Sequence, residues 1–325
     1  MTIAKKLLVP LLICASAFAW PAAAQSARSG AATASLVVPY AAGGSADTLG
    51  RKLAEVTRQQ TGAVYVIENQ GGAGGTIGTA TVARAKPDGQ TLLLASTSAL
   101  TIGPHLNTLR YDPLKDLTPI ASVGVAPIAI LATRSAQFKD LAGALAYAKA
   151  NPGAVRYGTP GVGSVAHLAI EGLQQRAGVQ LTHVPYRGES PAVQDALGGI
   201  VELLVVNTPT IFPHVKAGSL TPLAVLEPER LVAWPDVPTL KEGGFEGLDY
   251  NSDFGIFVTA GLSDEAQKAL SEQINNAVQS DEFQQLLKQL SLLPGSTAGA
   301  AYATQISDEF TRNGEIIKSR NIVAN

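Results

Sequence analysis

Short apolar runs alternate with helical patterns from residue 36 onward. Three runs with strand character come first: Leu36–Val38, Val64–Glu68 and Thr91–Ala95. Between the first two, Ala46–Gln60 places Leu49, Leu53 and Val56 on one helical face, and Gly62 follows its end. Thr76–Ala85 is the second helical pattern. The order strand, helix, strand, helix, strand is typical of half a doubly wound α/β sheet.

The same order recurs about 120 residues later. Strands are expected at Val155–Gly158, Leu181–Val184 and Val201–Val206, with helices at Val165–Ala177 and Ser190–Leu197. Two apolar stretches, Thr118–Thr133 and Leu220–Leu226, flank this second unit and predict two chain crossings. The sequence therefore favours two α/β lobes joined by a hinge, with a ligand cleft between them. Three helices are expected at the end of the chain: Ser263–Gln279, Asp281–Leu290 and Thr297–Lys318.

The N-terminus has the pattern of a cleavable export signal. Lys5 and Lys6 precede the apolar run Leu7–Ala19, and small residues follow at Ala22–Ala24. Cleavage is expected before Gln25, which predicts an exported protein. We therefore expect a signal peptide at 1–24, one lobe formed by 25–125 with 227–325, and a second lobe at 126–226.

The composition argues against several kinds of partner and binding site. The formal net charge is −2 and only 15% of residues are charged, which argues against nucleic acid or an anionic membrane as partner. The single cysteine, Cys14, lies in the expected signal, so the mature chain has no thiolate ligand or disulfide. The four histidines show no metal-site spacing. Neither a metal nor a cofactor is expected.

Glycine-rich turns follow the first strand of each unit, and three chemistries compete for them. A nucleotide site does not fit. The stretch that looks like a dinucleotide fingerprint, Gly71–Gly78, follows the second strand instead of the first, and Ile77 stands where a fingerprint starting at Gly72 needs its third glycine. A serine nucleophile at Ser45 or Ser164 stays open as an alternative, although Asp47 stands where the nucleophile turn needs a small residue. The third chemistry is anion capture, because a helix N-terminus offers unpaired N–H groups and partial positive charge. Two matching loops, 40–45 and 159–164, favour it.

Five blocks spread over nearly the whole chain carry a family resemblance: VPYAAGGSAD (38–47), VIENQGGAGGTIGTATVARAKPDGQTLL (66–93), YGTPGVGSVAHLAIEGLQQRAGVQLTHVPYRG (157–188), VKAGSLTPLAVL (215–226) and WPDVPTLKEGGF (234–245). Together they resemble the tripartite tricarboxylate transporter substrate-binding receptors, the Bug family of periplasmic solute-binding proteins. The resemblance implies a fold of the type II periplasmic binding protein kind, which closes on a small carboxylate.

The resemblance also implies the site and the partners. The ligand-binding positions it indicates are Tyr40, Ala41, Gly44, Ser45, Asp47, Ser96, Thr97, Ser98, Gly161, Gly163, Ser164, His167 and Asn207. Asn207 offers both a donor and an acceptor to a polar or anionic ligand end. The implied partners are the membrane components of such a transporter, and the receptor itself is expected to be a monomer without catalytic residues. A periplasmic serine hydrolase and a ligand sensor for a signalling system remain the alternatives.

Overall fold

The computed structural model describes residues 33–295, 297–319 and 321–323, and the expected signal peptide lies outside this part. Within it, ten strands are connected in one mixed sheet. They are β1 (Thr33–Val38), β2 (Val64–Asn69), β3 (Thr91–Ser96), β4 (Leu117–Ala132), β5 (Arg156–Thr159), β6 (Thr182–Pro185), β7 (Leu203–Asn207), β8 (Thr221–Val225), β9 (Asn251–Thr259) and β10 (Leu293–Pro294).

Helices cover the strands. They are α1 (Ser45–Thr61), α2 (Thr76–Ala83), α3 (Ser98–Thr101), α4 (Gly103–Leu106), α5 (Leu141–Ala150), α6 (Val165–Ala177), α7 (Glu189–Leu197), α8 (Phe212–Lys216), α9 (Asp264–Val278), α10 (Asp281–Gln289) and α11 (Gly299–Ser319). Short 3-10 turns stand at Ala73–Gly75 and Thr208–Thr210. No helix within the described ranges combines the length and the apolar composition that crossing a membrane requires.

The first predicted unit forms as expected. Strand β1 pairs in parallel with β2 on one side and with β3 on the other. Leu49, Leu53 and Val56 of α1 are buried against this sheet, which confirms the helical face read from their spacing. Gly62 ends α1 in the left-handed conformation, with φ of 77°, and its N–H bonds the Arg58 carbonyl.

The second unit repeats this arrangement. Strand β5 pairs in parallel with β6 and with β7, as the recurring pattern predicted. Helix α6 buries Leu168, Ile170 and Leu173 against this part of the sheet. Two βαβαβ units are therefore confirmed, each with its strand–helix turns at the carboxyl ends of parallel strands.

One long strand belongs to both units. Leu117–Pro127 of β4 pairs antiparallel with β9 on the first unit's side, and Ile128–Ala132 pairs with β7 and β8 of the second. The change of partners falls at Pro127, which lacks a backbone N–H for a ladder bond. The predicted run Thr118–Thr133 is therefore a strand that connects the two units.

The return of the chain differs from the expectation. The run Leu220–Leu226 forms β8, which pairs with the second-unit half of β4. The chain re-enters the first sheet at β9, a strand that the pattern analysis did not identify, and β9 inserts between β3 and β4. The segment between β8 and β9 packs Leu231, Trp234 and Val237 on the second unit's core.

Candidate functional site

The first loop turns from β1 into α1 and is fixed by Asp47. Gly44 is the residue before the helix, and Ser45 is its first residue. The Asp47 carboxylate accepts hydrogen bonds from the Gly43 N–H and the Arg51 guanidinium, both at 2.9 Å. Burial acts to raise the pKa of Asp47, but these bonds and one from Asn69 outweigh it and lower that pKa. Asp47 therefore stabilises the conformation of the first loop.

Both predicted loops open into one cavity between the two units. Its empty volume is about 430 Å³, a figure that includes the part open to solvent. The residues lining it are Tyr40, Gly44, Ser45, Ala46, Ser96, Ser98, Ile128, Pro160, Ser164, Val165, Ala166, Glu189, Val206, Asn207, Ser252 and Phe254. Serine hydroxyls, one amide and one carboxylate are the polar side chains that meet there besides the Tyr40 hydroxyl.

The second loop presents the N-terminus of α6 to this cavity. The Ser164 side chain caps the helix by accepting a hydrogen bond from the His167 N–H at 3.2 Å. The next two residues, Val165 and Ala166, line the cavity. Their backbone N–H groups belong to the first turn of the helix, which lacks intrahelical acceptors and carries partial positive charge. This end of the cavity suits an anion.

A buried hydroxyl adds a further polar group. Tyr40 is 9% exposed and lines the cavity, and its hydroxyl lies beside Ser96 and Ser98. Within the described residues that hydroxyl has no partner with hydrogen-bond geometry. Burial raises the pKa of Tyr40, so the phenol keeps its proton at neutral pH. A ligand oxygen in the cavity would satisfy this donor.

The carboxylate of Glu189 occupies the start of α1. Its Oε2 accepts hydrogen bonds from the Ser45 N–H and from the Ser45 hydroxyl, each at 2.9 Å. Its Oε1 accepts a hydrogen bond from the Asn207 amide, whose oxygen in turn accepts one from the Ser252 hydroxyl at 2.8 Å. Burial raises the pKa of Glu189, and the bonds from Ser45 and Asn207 act to lower it. Ser45 and Glu189 thus link the two units.

The two units also meet through backbone groups and one serine hydroxyl along one edge of the cleft. The Ala41 N–H donates to the Arg187 carbonyl at 3.0 Å, and the Ser190 hydroxyl donates to the Ala42 carbonyl at 2.8 Å. A Cβ on Gly74 would overlap the Val162 carbonyl. The structure is therefore a closed arrangement in which glycine permits direct contact between units.

His167 packs inside the second unit. Its ring is fully buried, accepts a hydrogen bond from the Gly163 N–H at 3.3 Å, and stacks on His183 with ring centroids 4.3 Å apart. His183 stacks in turn on Tyr157 at 4.8 Å. Burial lowers the pKa of His167 to about 4 and, with the neighbouring His167, that of His183 to about 3. Both rings are therefore neutral at pH 7.

Seven of the thirteen predicted site residues line the cavity: Tyr40, Gly44, Ser45, Ser96, Ser98, Ser164 and Asn207. The other six do not line it: Ala41, Asp47, Thr97, Gly161, Gly163 and His167. Ala41 and Asp47 hold the first loop, Gly163 and His167 bond each other, and the Thr97 N–H bonds the Asp253 carbonyl. No ligand contact tests these positions, so a binding role for each stays a prediction.

Glu189 is an acidic residue of the cavity lining that was not among the predicted site residues. Glu189 directly follows the block that ends in Gly188, and its partner Ser45 is 144 residues away along the chain. Ser252 was missed with β9, and Phe254, which also lines the cavity, was not among the predicted ligand-binding positions. A signal for Glu189 was present, because an acidic residue next to a glycine at a predicted helix start is favoured near that helix's own N–H groups.

Comparisons with known proteins agree with this architecture. The profile of the family described as "Tripartite tricarboxylate transporter family receptor" matches residues 49–322. Protein BugT of Bordetella pertussis is 36% identical over 75% of this chain and 76% of its own length. The solved structure of the periplasmic binding protein BugD is 31% identical, with a TM-score of 0.85 over 90% of this chain and 98% of that one.

A third relative was solved with a ligand. The structure of R. palustris Rpa4515 with adipate superposes with a TM-score of 0.84 at 29% identity, over 90% of this chain and 98% of that one. These neighbours confirm the expected two-lobed α/β fold of the periplasmic binding protein type, with the ligand cleft between the lobes. The profile match and the relatives together show that the chain belongs to the tripartite tricarboxylate transporter family of receptors.

Proposed function

We propose that this protein is a periplasmic receptor that captures a small carboxylate and delivers it to a tripartite tricarboxylate-type membrane transporter. The observation that carries the proposal is the cavity between the units, where the N-terminus of α6 and several hydroxyl groups converge. The family supports the transport role. The relative solved with adipate supports a carboxylate as ligand.

The physical basis is a set of donors without a cationic side chain. The N–H groups of Val165 and Ala166 and the hydroxyls of Tyr40 and Ser98 surround a space closed off by apolar Ile128 and Phe254. Closure removes water, and hydrogen bonds to a carboxylate are stronger in a medium of low effective dielectric. A carboxylate held this way needs no arginine.

Location, assembly and lobe boundaries form part of the same proposal. We infer export through the signal peptide at 1–24, release of a mature chain at Gln25, and function as a monomer with membrane proteins as partners. We also infer that one lobe ends at residue 125 and resumes at residue 227, with the second lobe between them. Mass spectrometry of the protein isolated from the periplasm gives its mature N-terminus, and light scattering gives its mass in solution.

A ligand screen tests the carboxylate. Thermal unfolding is measured with mono-, di- and aromatic carboxylates, and with neutral sugars and simple amines as controls. A carboxylate at about 100 times its dissociation constant stabilises the fold by ~2.7 kcal/mol. If sugars or simple amines raised the melting temperature while every carboxylate left it unchanged, the proposed function would be wrong.

We also propose that the chain is a receptor and not a serine hydrolase. Ser45 donates its hydroxyl hydrogen bond to Glu189, and the Ser164 hydroxyl accepts one from a backbone N–H. The test is Ser45→Ala. A receptor loses binding affinity with this change. A hydrolase would turn over a carboxylic ester as wild type, and Ser45→Ala would lower that rate about 10³-fold or more.

A further inference from the structure

The Glu189 carboxylate lines the ligand cavity without a cation beside it. The side chain is 6% exposed and makes no ion pair with any residue that the structure describes. The groups that face it are the Ser45 N–H and hydroxyl, the Asn207 amide, the Thr210 hydroxyl and the Tyr40 phenol, all uncharged. Buried carboxylates are usually paired with a cation, so this one is unusual.

Its hydrogen bonds favour the ionised form. One oxygen faces the Ser45 backbone N–H, which can only donate, and the other faces the Asn207 amide NH₂. Glu189 is also the first residue of α7, and its carboxylate bonds the first residue of α1, so it lies close to two positive helix ends. Burial acts against ionisation and raises the pKa of Glu189. A cationic partner would therefore stabilise the ionised carboxylate.

The charge has opposite consequences for two classes of ligand. A second carboxylate brought against Glu189 meets a like charge in a site shielded from water, and such pairs are strongly unfavourable. An ammonium group there supplies the missing counter-ion. We propose that Glu189 is a specificity residue, which makes this receptor select ligands that carry both a carboxylate and a cationic nitrogen, and reject dicarboxylates of the same length. This inference rests on the proposed carboxylate-binding function.

The same geometry orients the ligand. The first N–H of α1 is already bonded to Glu189, whereas the Ser164–Ala166 end of the cavity has no acidic side chain among its lining residues. The ligand carboxylate therefore lies at the start of α6, within reach of the hydroxyl groups near Tyr40. The cationic nitrogen lies toward Glu189. The ligand class is that of amino acids and their longer homologues.

Matched ligand pairs test the selection on the unmodified protein. Each pair exchanges one carboxylate for an ammonium group at constant length: β-alanine with succinate, 4-aminobutyrate with glutarate, 5-aminovalerate with adipate, and 4-(aminomethyl)benzoate with terephthalate. The α-amino acids with the same carbon skeletons are added. Calorimetry on the mature chain at pH 7 is expected to show binding of an ammonium-bearing member at least about tenfold tighter than of its dicarboxylate partner. Equal or tighter binding of the dicarboxylate in every pair overturns the inference.

The variant Glu189→Gln removes the charge while keeping the size. Its amide oxygen can still accept from Ser45, and the Asn207 amide can turn to accept from its NH₂. The preference for the ammonium-bearing ligand should fall by about tenfold or more. Glu229→Gln is the matched control, because Glu229 is exposed and lies away from the cavity lining. The control should keep the wild-type preference.

The outcomes separate this inference from the function it rests on. If carboxylates bind the wild type and Glu189→Gln leaves the ratio within each pair unchanged, the specificity role is wrong and the receptor function stands. If no carboxylate of either class binds the wild type, the proposed function fails and the inference fails with it. Should Glu189→Gln not fold, the wild-type ratio across the matched pairs still decides the inference.

Discussion

Asp253 offers a sharp test of the electrostatics behind the site. It lies on β9 next to Phe254 of the cavity and is 6% exposed. Its two oxygens accept hydrogen bonds from the Ser122 hydroxyl at 2.7 Å and the Gln305 amide at 2.9 Å. Burial raises its pKa from 3.8 to about 7, and the charge of Glu309 adds to this. The substitution Asp253→Asn keeps the shape and can keep both bonds, because the serine hydroxyl can turn to accept.

The direction and size of the stability difference follow from the pKa values of Asp253 in the unfolded and folded chain. The unfolded chain ionises this group from about pH 4, whereas the folded chain keeps the proton until about pH 7. Wild-type stability from this group is therefore full below pH 4 and is lost as the pH rises through 7. A shift of this size, from 3.8 to about 7, corresponds to ~4 kcal/mol at ~1.4 kcal/mol per unit. With an unfolding entropy of ~2.1 cal/mol/K per residue, this is roughly 6 °C in melting temperature.

Thermal unfolding of both proteins from pH 4 to pH 8 measures the difference. Asp253→Asn should melt at the same temperature as wild type near pH 4, gain steadily up to pH 7, and keep a constant advantage above it. Asp308→Asn is the control, since Asp308 is exposed on α11, and it should give a small difference that does not follow this curve. A difference between Asp253→Asn and wild type that is the same at every pH would refute the reasoning.

The other predictions concern the histidine stack and the closed cleft. Burial lowers the pKa of His167 from 6.5 to about 4, so its contribution to stability is full above pH 6.5 and falls by ~3 kcal/mol as the pH drops to 4. Chemical denaturation should show that His167→Gln loses less free energy of unfolding on acidification than wild type does, and His214→Gln is the control. An equal loss in His167→Gln and wild type would contradict the buried, neutral ring. Gly74→Ala would force a Cβ against the Val162 carbonyl across the cleft, so ligand affinity should fall about tenfold or more because the closed state is less populated. Gly244→Ala is the control, since Gly244 also has positive φ, 88°, but open space around it. Small-angle scattering should show a larger radius of gyration for ligand-bound Gly74→Ala only, and equal affinities in the two variants would contradict the role of this contact.

Local patterns predicted the repeated units well because each helix and strand in them has the residue spacing typical of its type. The parallel pairs of β1 with β2 and β3, and of β5 with β6 and β7, follow from strand–helix alternation. Ser263, where the third-last expected helix begins, caps α9, with its hydroxyl accepting from the Ala266 N–H. These features depend on residues that are neighbours in sequence.

Elements without a clean period escaped prediction. Helix α5 contains LAGALAYAKA, in which small residues surround the few large ones and leave no distinct apolar face. Strand β9 begins with three polar residues and is buried on both faces, so its sequence shows no alternation of apolar and polar positions. The Ser45 hydroxyl does not cap α1, because Gly44 holds the N-cap position and the hydroxyl donates to Glu189. These three features are decided by tertiary contacts.

The two glycine loops match in sequence but differ in charge once the chain folds. Symmetry of pattern predicts two equal helix ends closing on one anion. In the structure, the end of α1 is already bonded to an acidic side chain from the opposite unit, while Val165 and Ala166 at the end of α6 face the cavity. A carboxylate ligand therefore meets one helix end with N–H groups facing the cavity and another whose first N–H is already bonded to the Glu189 side chain. The cleft has an electrostatic direction that neither loop reveals alone, because it comes from a contact between residues 45 and 189.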